Sequence, residues 1–406
     1  MDLIDAYLKD VCRFVRNKKA CFEIEKELRN HIDELVEMYV KRGIPQKEAI
    51  DKALQSVGDS EKLGQELNEV HKEKFDLKLI GIILFLGIIG FWGTISFTNF
   101  LANNDYKGSL NRFAINDLLW IGIGMIFFFI GYKFKIKYIR KLYILFYILG
   151  IILVLGSRSV LNFAPWFLLG GVGAPILSIA PICFLVSIVS IYEKFNIVTK
   201  KQKLIVLFLE VAPLFFIVYK TKYVPLYLCY SIPLLIIIYI NSENIKSLTV
   251  PFIVEIILFI EIGFRYLTVK SVNSGLVETI LKTSKIIGRN VHTNPFINSN
   301  FPIVSAIGSY GILFGILIII GLLYFSFRII KTAGSIKNRY YKSLALIIGS
   351  VIVIEIILSI LVNLNLVNMQ ITTFLISSGG YPFIIILFLL GGFNNIYRYK
   401  NISIIE

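Results

Sequence analysis

The segment 292–301, HTNPFINSNF, is a polar stretch in an otherwise apolar chain. Its amides and hydroxyls can hydrogen-bond to a sugar or a phosphate, but it contains no carboxylate. Three cations precede it, Lys282, Lys285 and Arg289, and they can attract an anionic group such as a diphosphate. The nearest acid in the sequence is Glu278. These residues predict a site that binds a ligand but has no carboxylate of its own to remove a proton from an attacking hydroxyl.

The segment 269–302 is the long loop that must position these groups. Its part SGLVETILKTSKIIGRN places Leu276, Ile280, Ile286 and Ile287 away from the cations, which predicts a short helix on the membrane surface. The cations of such a helix serve one of two purposes. They meet anionic lipid headgroups, or they grip a phosphate-bearing lipid substrate.

Five residues of ionisable type lie inside apolar runs, where a charge is costly and marks a functional candidate. They are Glu210, Glu255, Glu261, Arg265 and Glu355. The four-residue spacing of Glu261 and Arg265 permits an ion pair within one helix. Such a pair either neutralises itself at lipid depth or forms a polar wall that faces a central cavity.

Apolar runs define the class of the protein. Of its 406 residues, 56% are hydrophobic, which is above the usual share in soluble domains. Runs of about 20 residues can cross roughly 30 Å of hydrocarbon as helices. The sequence therefore predicts an all-α, polytopic membrane protein of about ten transmembrane helices, at 79–100, 115–132, 141–156, 175–192, 204–219, 223–241, 248–268, 303–327, 343–363 and 379–396.

The charges are distributed unevenly along the chain. Residues 1–76 carry 14 Lys and Arg against 17 Asp and Glu, whereas the other 330 residues carry 28 against 10. Within the membrane part, Lys and Arg recur on alternate loops. This pattern predicts a multi-pass protein of the cell membrane with both termini in the cytoplasm and loop 269–302 outside. A basic excess of this kind holds the topology, so nucleic acid is not expected as a partner.

The four cysteines give no sign of a metal or redox site. Cys12 and Cys21 precede the apolar runs, Cys183 and Cys229 lie within them, and no CxxC pair or Cys/His cluster occurs. The sequence therefore predicts no metal ion, no disulfide framework and no cofactor.

Residues 1–72 are predicted to form a small cytoplasmic domain of three amphipathic helices. The segments ACFEIEKELRNHIDELVEMYVKR, QKEAIDKALQSVG and EKLGQELNEVHK repeat apolar residues mostly at three- and four-residue steps. Through EKELRNHIDELVE, GIPQKEAIDKAL and VGDSEKLGQELNEVH, this region resembles the HAAS or permease-prefix domain. That resemblance implies a regulatory module fused to a bacterial membrane protein.

Four stretches of the remaining chain share motif residues with a second family. They are NFAPWFLLGGVGAPILSIA, NPFINSNFPIVSAIGSYGILFG, SLALIIGSVIVIEIILSILVNLNLV and ISSGGYPFIIILFLLGGFNNIYR, with Trp166, Gly170, Gly171, Pro295, Asn363, Ser377, Gly379 and Gly380. Through them, roughly residues 145–398 resemble the SEDS family of FtsW/RodA/SpoVE-like proteins of bacterial cell division, cell shape and sporulation, and the predicted membrane domain of that type covers 77–400. The resemblance implies a ten-span domain and, in many members, the polymerisation of lipid II into the glycan strands of peptidoglycan.

The departures from this family pattern fall on its catalytic groups. In register with Pro295, Asn298 and Ser299 stand at the family's histidine and threonine positions, and Asn300 stands at its proposed catalytic aspartate. The family's glutamate and lysine are also absent around residues 177–181. An amide cannot accept a proton at useful pH, and losing a general base costs on the order of 10²–10⁴ in rate. The resemblance thus implies a protein with the fold of the family but without the carboxylate that acts as its general base.

Three functions follow as hypotheses. The leading one is a divergent FtsW/RodA/SpoVE-like protein of peptidoglycan synthesis, cell shape or cell division, without polymerase activity. It would bind lipid II, another undecaprenyl-linked precursor or a partner such as a single-span transpeptidase, within the membrane lipid. The second is an active lipid II glycosyltransferase whose base has moved to Glu278. The third is a transporter or lipid flippase gated by the cytoplasmic head.

Overall fold

The computed structural model describes residues 3–15, 18–71, 76, 78–85, 87–89, 110–158, 166–169, 172–174, 178–195, 199–221, 223–242, 248–267, 274–288, 301–367, 381–398 and 400. The chain divides into two compact units. The N-terminal unit is Met1–Phe75 with Ile336–Asn338 and Arg398–Glu406, and the membrane unit is Asp76–Ser335 with Arg339–Tyr397.

The N-terminal unit contains one helix more than the three predicted. The helices are α1 (Leu3–Phe14), α2 (Lys18–Lys41), α3 (Gln46–Val57) and α4 (Ser60–His71). The prediction omits α1, a helix of 12 residues whose buried face consists of Ile4, Leu8 and Val11. So short a stripe at the end of a chain is a weak signal, because isolated helices of this length are marginal without tertiary packing.

That packing is visible in the core of the N-terminal unit. Ile4 and Leu8 of α1 form one buried cluster with Ile32 of α2 and Ala53 of α3. Gly58 follows α3 with a φ of 104°, a conformation that favours glycine and ends the helix. The first helix is therefore part of the core rather than an appendage.

The membrane unit confirms the predicted fold class. Helical residues 78–85 and 87–89 begin it. The helices that follow are α5 (Leu110–Lys133), α6 (Ile136–Lys141), α7 (Tyr143–Leu155), α8 (Ile179–Lys194), α9 (Lys200–Phe216), α10 (Val224–Asn241), α11 (Thr249–Leu267), α12 (Ser274–Thr283), α13 (Pro302–Tyr310), α14 (Ile312–Gly334), α15 (Arg339–Asn363) and α16 (Tyr381–Arg398). Within the described ranges, four helices are long and apolar enough to cross a membrane, namely α9 with its π-helical continuation to Thr221, α10, α14 and α15.

The eighth predicted span, 303–327, is two helices rather than one. α13 ends and α14 begins at Gly311, whose φ is 101°. A Cβ atom at this position would lie 2.7 Å from the carbonyl oxygen of Ile286. Glycine is therefore required both for the direction of the chain and for the approach of the outer loop.

Close backbone contact joins α5 to α16. A Cβ atom on Gly131 would lie 2.2 Å from the carbonyl oxygen of Phe388, and one on Gly391 would lie 2.1 Å from that of Phe128. The side-chain amide of Asn395 donates a hydrogen bond to the Phe134 carbonyl at 2.5 Å. Small residues let helices approach closely in a membrane, where van der Waals packing and hydrogen bonds replace the hydrophobic effect. The last helix is thus anchored on α5.

A small antiparallel sheet lies between α7 and α8, where the sequence predicts no strands. It consists of β1 (Ser157–Arg158), β2 (Trp166–Leu169) and β3 (Val172–Ala174), in that order. The motif residue Trp166 begins β2 and pairs with Arg158. These nine residues do not alter the all-α class of a fold built from long helices.

The predicted orientation of the membrane unit can be tested by cysteine labelling. After replacement of the native cysteines, we expect Thr279→Cys in α12 to react with a membrane-impermeant maleimide on intact cells, because loop 269–302 is predicted to lie outside. Lys201→Cys, at the start of α9, should react only after permeabilisation. Both native side chains are exposed, so accessibility differs only by the side of the membrane. The reverse labelling pattern would contradict the predicted topology.

Candidate functional site

The short helix α13 follows the polar stretch 292–301 directly, and its first turn is held by α15. The side-chain oxygen of Asn363 accepts hydrogen bonds from the backbone N–H groups of Ile303 at 3.0 Å and Val304 at 3.3 Å. The amide of Asn363 in turn donates to the Ser359 carbonyl at 2.9 Å. Asn363 is fully buried, so this cap is shielded from water. The cap occupies N–H groups that a helix N-terminus would otherwise offer to an anion.

The other end of α13 is held by the outer loop. At the break after α13, the N–H groups of Ile312 and Leu313 donate to the carbonyls of Lys285 at 3.0 Å and Ile286 at 3.2 Å. Free backbone groups at membrane depth cost several kcal/mol each by order of magnitude, so a broken helix needs such partners. The loop segment 285–288 is thereby fastened to the break.

The predicted surface helix exists as α12, but it is shorter than the sequence indicates. α12 packs against α13, and Val277 and Ile280 are buried residues of α12. Ile286 and Ile287, predicted to continue that apolar face, lie beyond the helix and are 68% and 72% exposed. The helix ends at Thr283 because the next backbone groups bond to the α13–α14 break instead.

The charged residues of α12 and its continuation have unequal roles. The ammonium of Lys282 donates a hydrogen bond to Glu278 at 2.6 Å, which makes a surface ion pair one helical turn apart. This hydrogen bond holds the pKa of the Glu278 carboxyl below its ordinary value. Lys285 is exposed, and no described residue forms an ion pair with it. Of the two predicted cations in residues 274–288, Lys285 is therefore the one left for a ligand.

Several predicted site residues lie outside the described residues. They are Arg289, Pro295, Asn298, Ser299 and Asn300 of the outer loop, and Gly170, Gly171, Ser377, Gly379 and Gly380 of the family motifs. The described chain resumes at Phe301, which is buried and directly precedes α13. Among the described residues, no group of three or more His, Cys, Asp or Glu side chains is placed to hold a metal ion.

Two of the predicted intramembrane glutamates accept hydrogen bonds from tyrosines of α10 through their backbone carbonyls. Glu210 of α9 accepts a hydrogen bond from the Tyr192 hydroxyl at 2.6 Å, and its backbone carbonyl accepts one from Tyr230 at 2.7 Å. The carbonyl of Glu255 in α11 accepts from Tyr227 at 2.6 Å, while one of its buried carboxyl oxygens has no partner among the described residues. Glu210 and Glu255 are thus buried on two helices, α9 and α11, that both pack against α10.

The remaining intramembrane positions are less completely defined. Glu261 accepts a hydrogen bond from the Tyr219 hydroxyl at 3.0 Å, at an exposed position. Arg265 lies on the same helix α11, but its side chain is outside the described part, so the predicted ion pair stays a prediction. Glu355 is half-buried on α15. The described contacts tie these side chains to helix packing, and they do not outline a common catalytic cavity.

Sequence reasoning missed a buried ion pair at the start of the membrane unit. Asp76 accepts two hydrogen bonds from the Arg328 guanidinium, at 3.0 and 3.1 Å, and a third from the Thr332 hydroxyl at 3.1 Å. It also accepts the N–H of Leu79 at 3.1 Å, as the cap of the first membrane helix. Asp76 and Arg328 lie 252 residues apart, so no local sequence pattern predicts their pairing.

The cap formed by Asn363 has a testable energetic consequence. We expect Asn363→Leu to lower the stability of the protein by on the order of 2 kcal/mol, because two buried N–H groups lose their acceptor. Thermal unfolding of the detergent-solubilised protein would measure it. Ser359→Ala is the matched control, since its buried hydroxyl has no partner in the described ranges and its loss should leave the melting temperature unchanged. Equal destabilisation by both variants would show that Asn363 acts through packing alone.

Comparison with known proteins identifies the fold. The chain is similar to a structure of a peptidoglycan synthase complex reported for its coordination of polymerization and crosslinking, at 16% identity and a TM-score of 0.61, covering 80% of this chain and 98% of that one. It is also similar to crystal structures of the Thermus thermophilus rod shape determining protein RodA. The mutant form gives 14% identity and a TM-score of 0.57, covering 80% and 98% of the chains. The other RodA structure gives 14% identity and a TM-score of 0.54, covering 80% of this chain and 97% of the RodA chain.

No protein-family model matches the chain, and a search of curated proteins gave no match. At 14–16% identity the structural likeness shows the fold, which is RodA-like and extends over nearly the whole of each solved chain. The fold implied by the sequence resemblance is therefore confirmed.

Proposed function

We propose that this protein acts in peptidoglycan synthesis as a SEDS-like membrane protein that binds a lipid-linked wall precursor or a partner synthase and does not polymerise glycan. The fold supports a role in peptidoglycan synthesis, because the solved proteins that resemble the chain are RodA and a peptidoglycan synthase complex. The chemistry of the outer loop supports the loss of catalysis.

One observation carries the proposal. The helix α13 is held at its start by Asn363 and at its end by the loop segment 285–288, so the frame beside the polar stretch is fully bonded. Yet Asn300, two residues before α13, is an amide where the resembling family has its aspartate. A protein that maintains the frame and lacks the base is suited to binding rather than to proton transfer.

The enzyme hypothesis with Glu278 as a relocated base receives less support. The carboxylate is exposed and hydrogen-bonded to Lys282, which lowers its pKa and hence its affinity for a proton. General bases work best when burial or like charges raise the pKa toward the operating pH. The environment of Glu278 does the opposite.

The transport hypothesis also receives less support. Transporters use broken helices whose free ends face the substrate. At the α13–α14 break, the N–H groups of Ile312 and Leu313 are already bonded to loop carbonyls. For the N-terminal region, residues 1–72, we propose the regulatory role that its HAAS-like sequence implies, acting on a membrane domain that covers 77–400.

Binding of lipid II tests the proposal directly. We expect the detergent-solubilised protein to bind lipid II, and Lys285→Gln to weaken that binding about five-fold, because one unpaired cation near a membrane surface contributes on the order of 1 kcal/mol toward an anionic group. Binding can be measured by microscale thermophoresis with fluorescent lipid II.

The control removes a charged pair without changing net charge. Glu278→Gln combined with Lys282→Gln deletes the surface ion pair, and lipid II affinity should stay within a factor of two of the natural protein, as expected for an exposed pair. Absence of lipid II binding, together with absence of a co-purifying transpeptidase, would refute the proposed role.

A further inference from the structure

A groove of about 630 Å³ lies on the membrane unit between α10 and α11, beside the start of α15. Its walls are almost wholly apolar. The residues that line it are Leu235, Ile236, Tyr239 and Ile240 of α10, Leu248, Thr249 and Phe252 at the start of α11, and Lys342 of α15. The volume falls in the range of about 300–1,000 Å³ that is typical of ligand sites.

Lys342 is the one charged side chain among the groove's described lining residues. It is half-buried, and within the described part of the chain neither a carboxylate nor a hydrogen-bond acceptor engages its ammonium group. A cation held against apolar walls is costly to leave without a counter-charge. Charge complementarity therefore calls for an anion at this end of the groove.

The helix ends place the groove at the boundary of the membrane. The amide of Asn241, the last residue of α10, donates to the Ser343 hydroxyl at 3.2 Å, so α10 ends where α15 begins. Leu235 lies six residues before Asn241, which is about 9 Å along a helix. The groove thus runs from the charged boundary into the hydrocarbon, the course taken by the upper part of a phospholipid.

We propose that this groove binds one anionic phospholipid of the leaflet in which α15 begins. Its phosphate would lie on Lys342, and one acyl chain would follow the apolar walls past Tyr239 and Phe252. The site is distinct from the candidate precursor site, because Asn363 lies 21 residues beyond Lys342 on α15, about 32 Å away by helix rise. The inference therefore does not depend on the function proposed above.

Native mass spectrometry of the full-length protein, titrated with phosphatidylglycerol and with phosphatidylcholine, tests this inference. We expect phosphatidylglycerol to bind more tightly and Lys342→Gln to weaken its binding about five-fold, with little effect on phosphatidylcholine. Lys201→Gln, which removes an exposed lysine outside the groove, is the matched control and should bind as the natural protein does. Ile240→Trp, which fills the groove, should reduce binding of phosphatidylglycerol without changing any charge.

Three results would overturn the assignment. Equal affinity for the two lipids would show that the headgroup is not recognised. Equal losses in Lys342→Gln and Lys201→Gln would show general surface attraction instead of a site. A dimer that forms through the groove and dissociates in Ile240→Trp would show that a second copy of the chain is the occupant. Melting temperatures of all variants, compared with the natural protein, establish that the measured losses come from folded protein.

Discussion

The purified protein is expected to form no glycan strands from lipid II, whether alone or with a single-span transpeptidase. Polymerisation requires a group that takes the proton from an attacking sugar hydroxyl while a diphosphate leaves. The motif resemblance aligns Asn300 with the family's aspartate, and an amide cannot take that proton. Loss of the base alone is worth on the order of 10²–10⁴ in rate. The resemblance also implies that the family's glutamate and lysine are absent near residues 177–181, which would act in the same direction.

A gel assay for glycan strands, run on the natural protein, Asn300→Asp and Glu278→Ala, separates the possible outcomes. Strands formed only by Asn300→Asp would show that the binding frame is intact and lacks only its proton acceptor. Strands formed by the natural protein and lost in Glu278→Ala would replace the proposal with that of an active enzyme with a relocated base. Parallel lipid II binding shows that an inactive variant is still able to hold its substrate.

The length and composition of apolar runs predict most of this fold. A span must satisfy its backbone internally, so a run such as 343–363 has few alternatives to the helix α15. The division of span 303–327 was not predictable in this way. It depends on the close approach of Gly311 to the carbonyl of Ile286. Ile286 lies in the outer loop, and the sequence does not predict where that loop packs on the spans. Tertiary contact decides the helix boundary there.

In the candidate site, too, features that depend on neighbouring residues were predictable from the sequence, whereas those that depend on distant contacts were not. The polar stretch and the nearby cations could be read from residue types alone. The pairing of Lys282 with Glu278 follows from four-residue spacing on one helix, although the prediction treats Lys282 as free to bind a ligand. Asn363 caps α13 although it lies 60 residues from Ile303 in the chain. The motif resemblance could therefore identify Asn363 as a family residue but could not predict that it caps this helix.

Asp76 provides the largest expected effect on stability. It is 3% exposed, and its carboxylate accepts from the Arg328 guanidinium and the Thr332 hydroxyl. We expect Asp76→Asn to destabilise the protein by on the order of 3–5 kcal/mol, since it leaves the partly buried cation uncompensated while the amide keeps nearly the same shape. The loss should appear as a melting temperature lowered by several degrees in the full-length, detergent-solubilised protein.

The double variant distinguishes charge from packing. Arg328→Met in the Asp76→Asn background removes the orphaned cation, so it should recover a large part of the lost stability, as buried pairs replaced by neutral groups do elsewhere. Thr332→Val removes one hydrogen bond and should cost only about 1 kcal/mol. If the double variant is as unstable as Asp76→Asn, the ion pair is not what holds this region. Asp76 is the first residue of the membrane unit, and its carboxylate joins the start of the first membrane helix to α14. Recovery in the double variant would therefore show that charge pairing holds the start of the first membrane helix against α14.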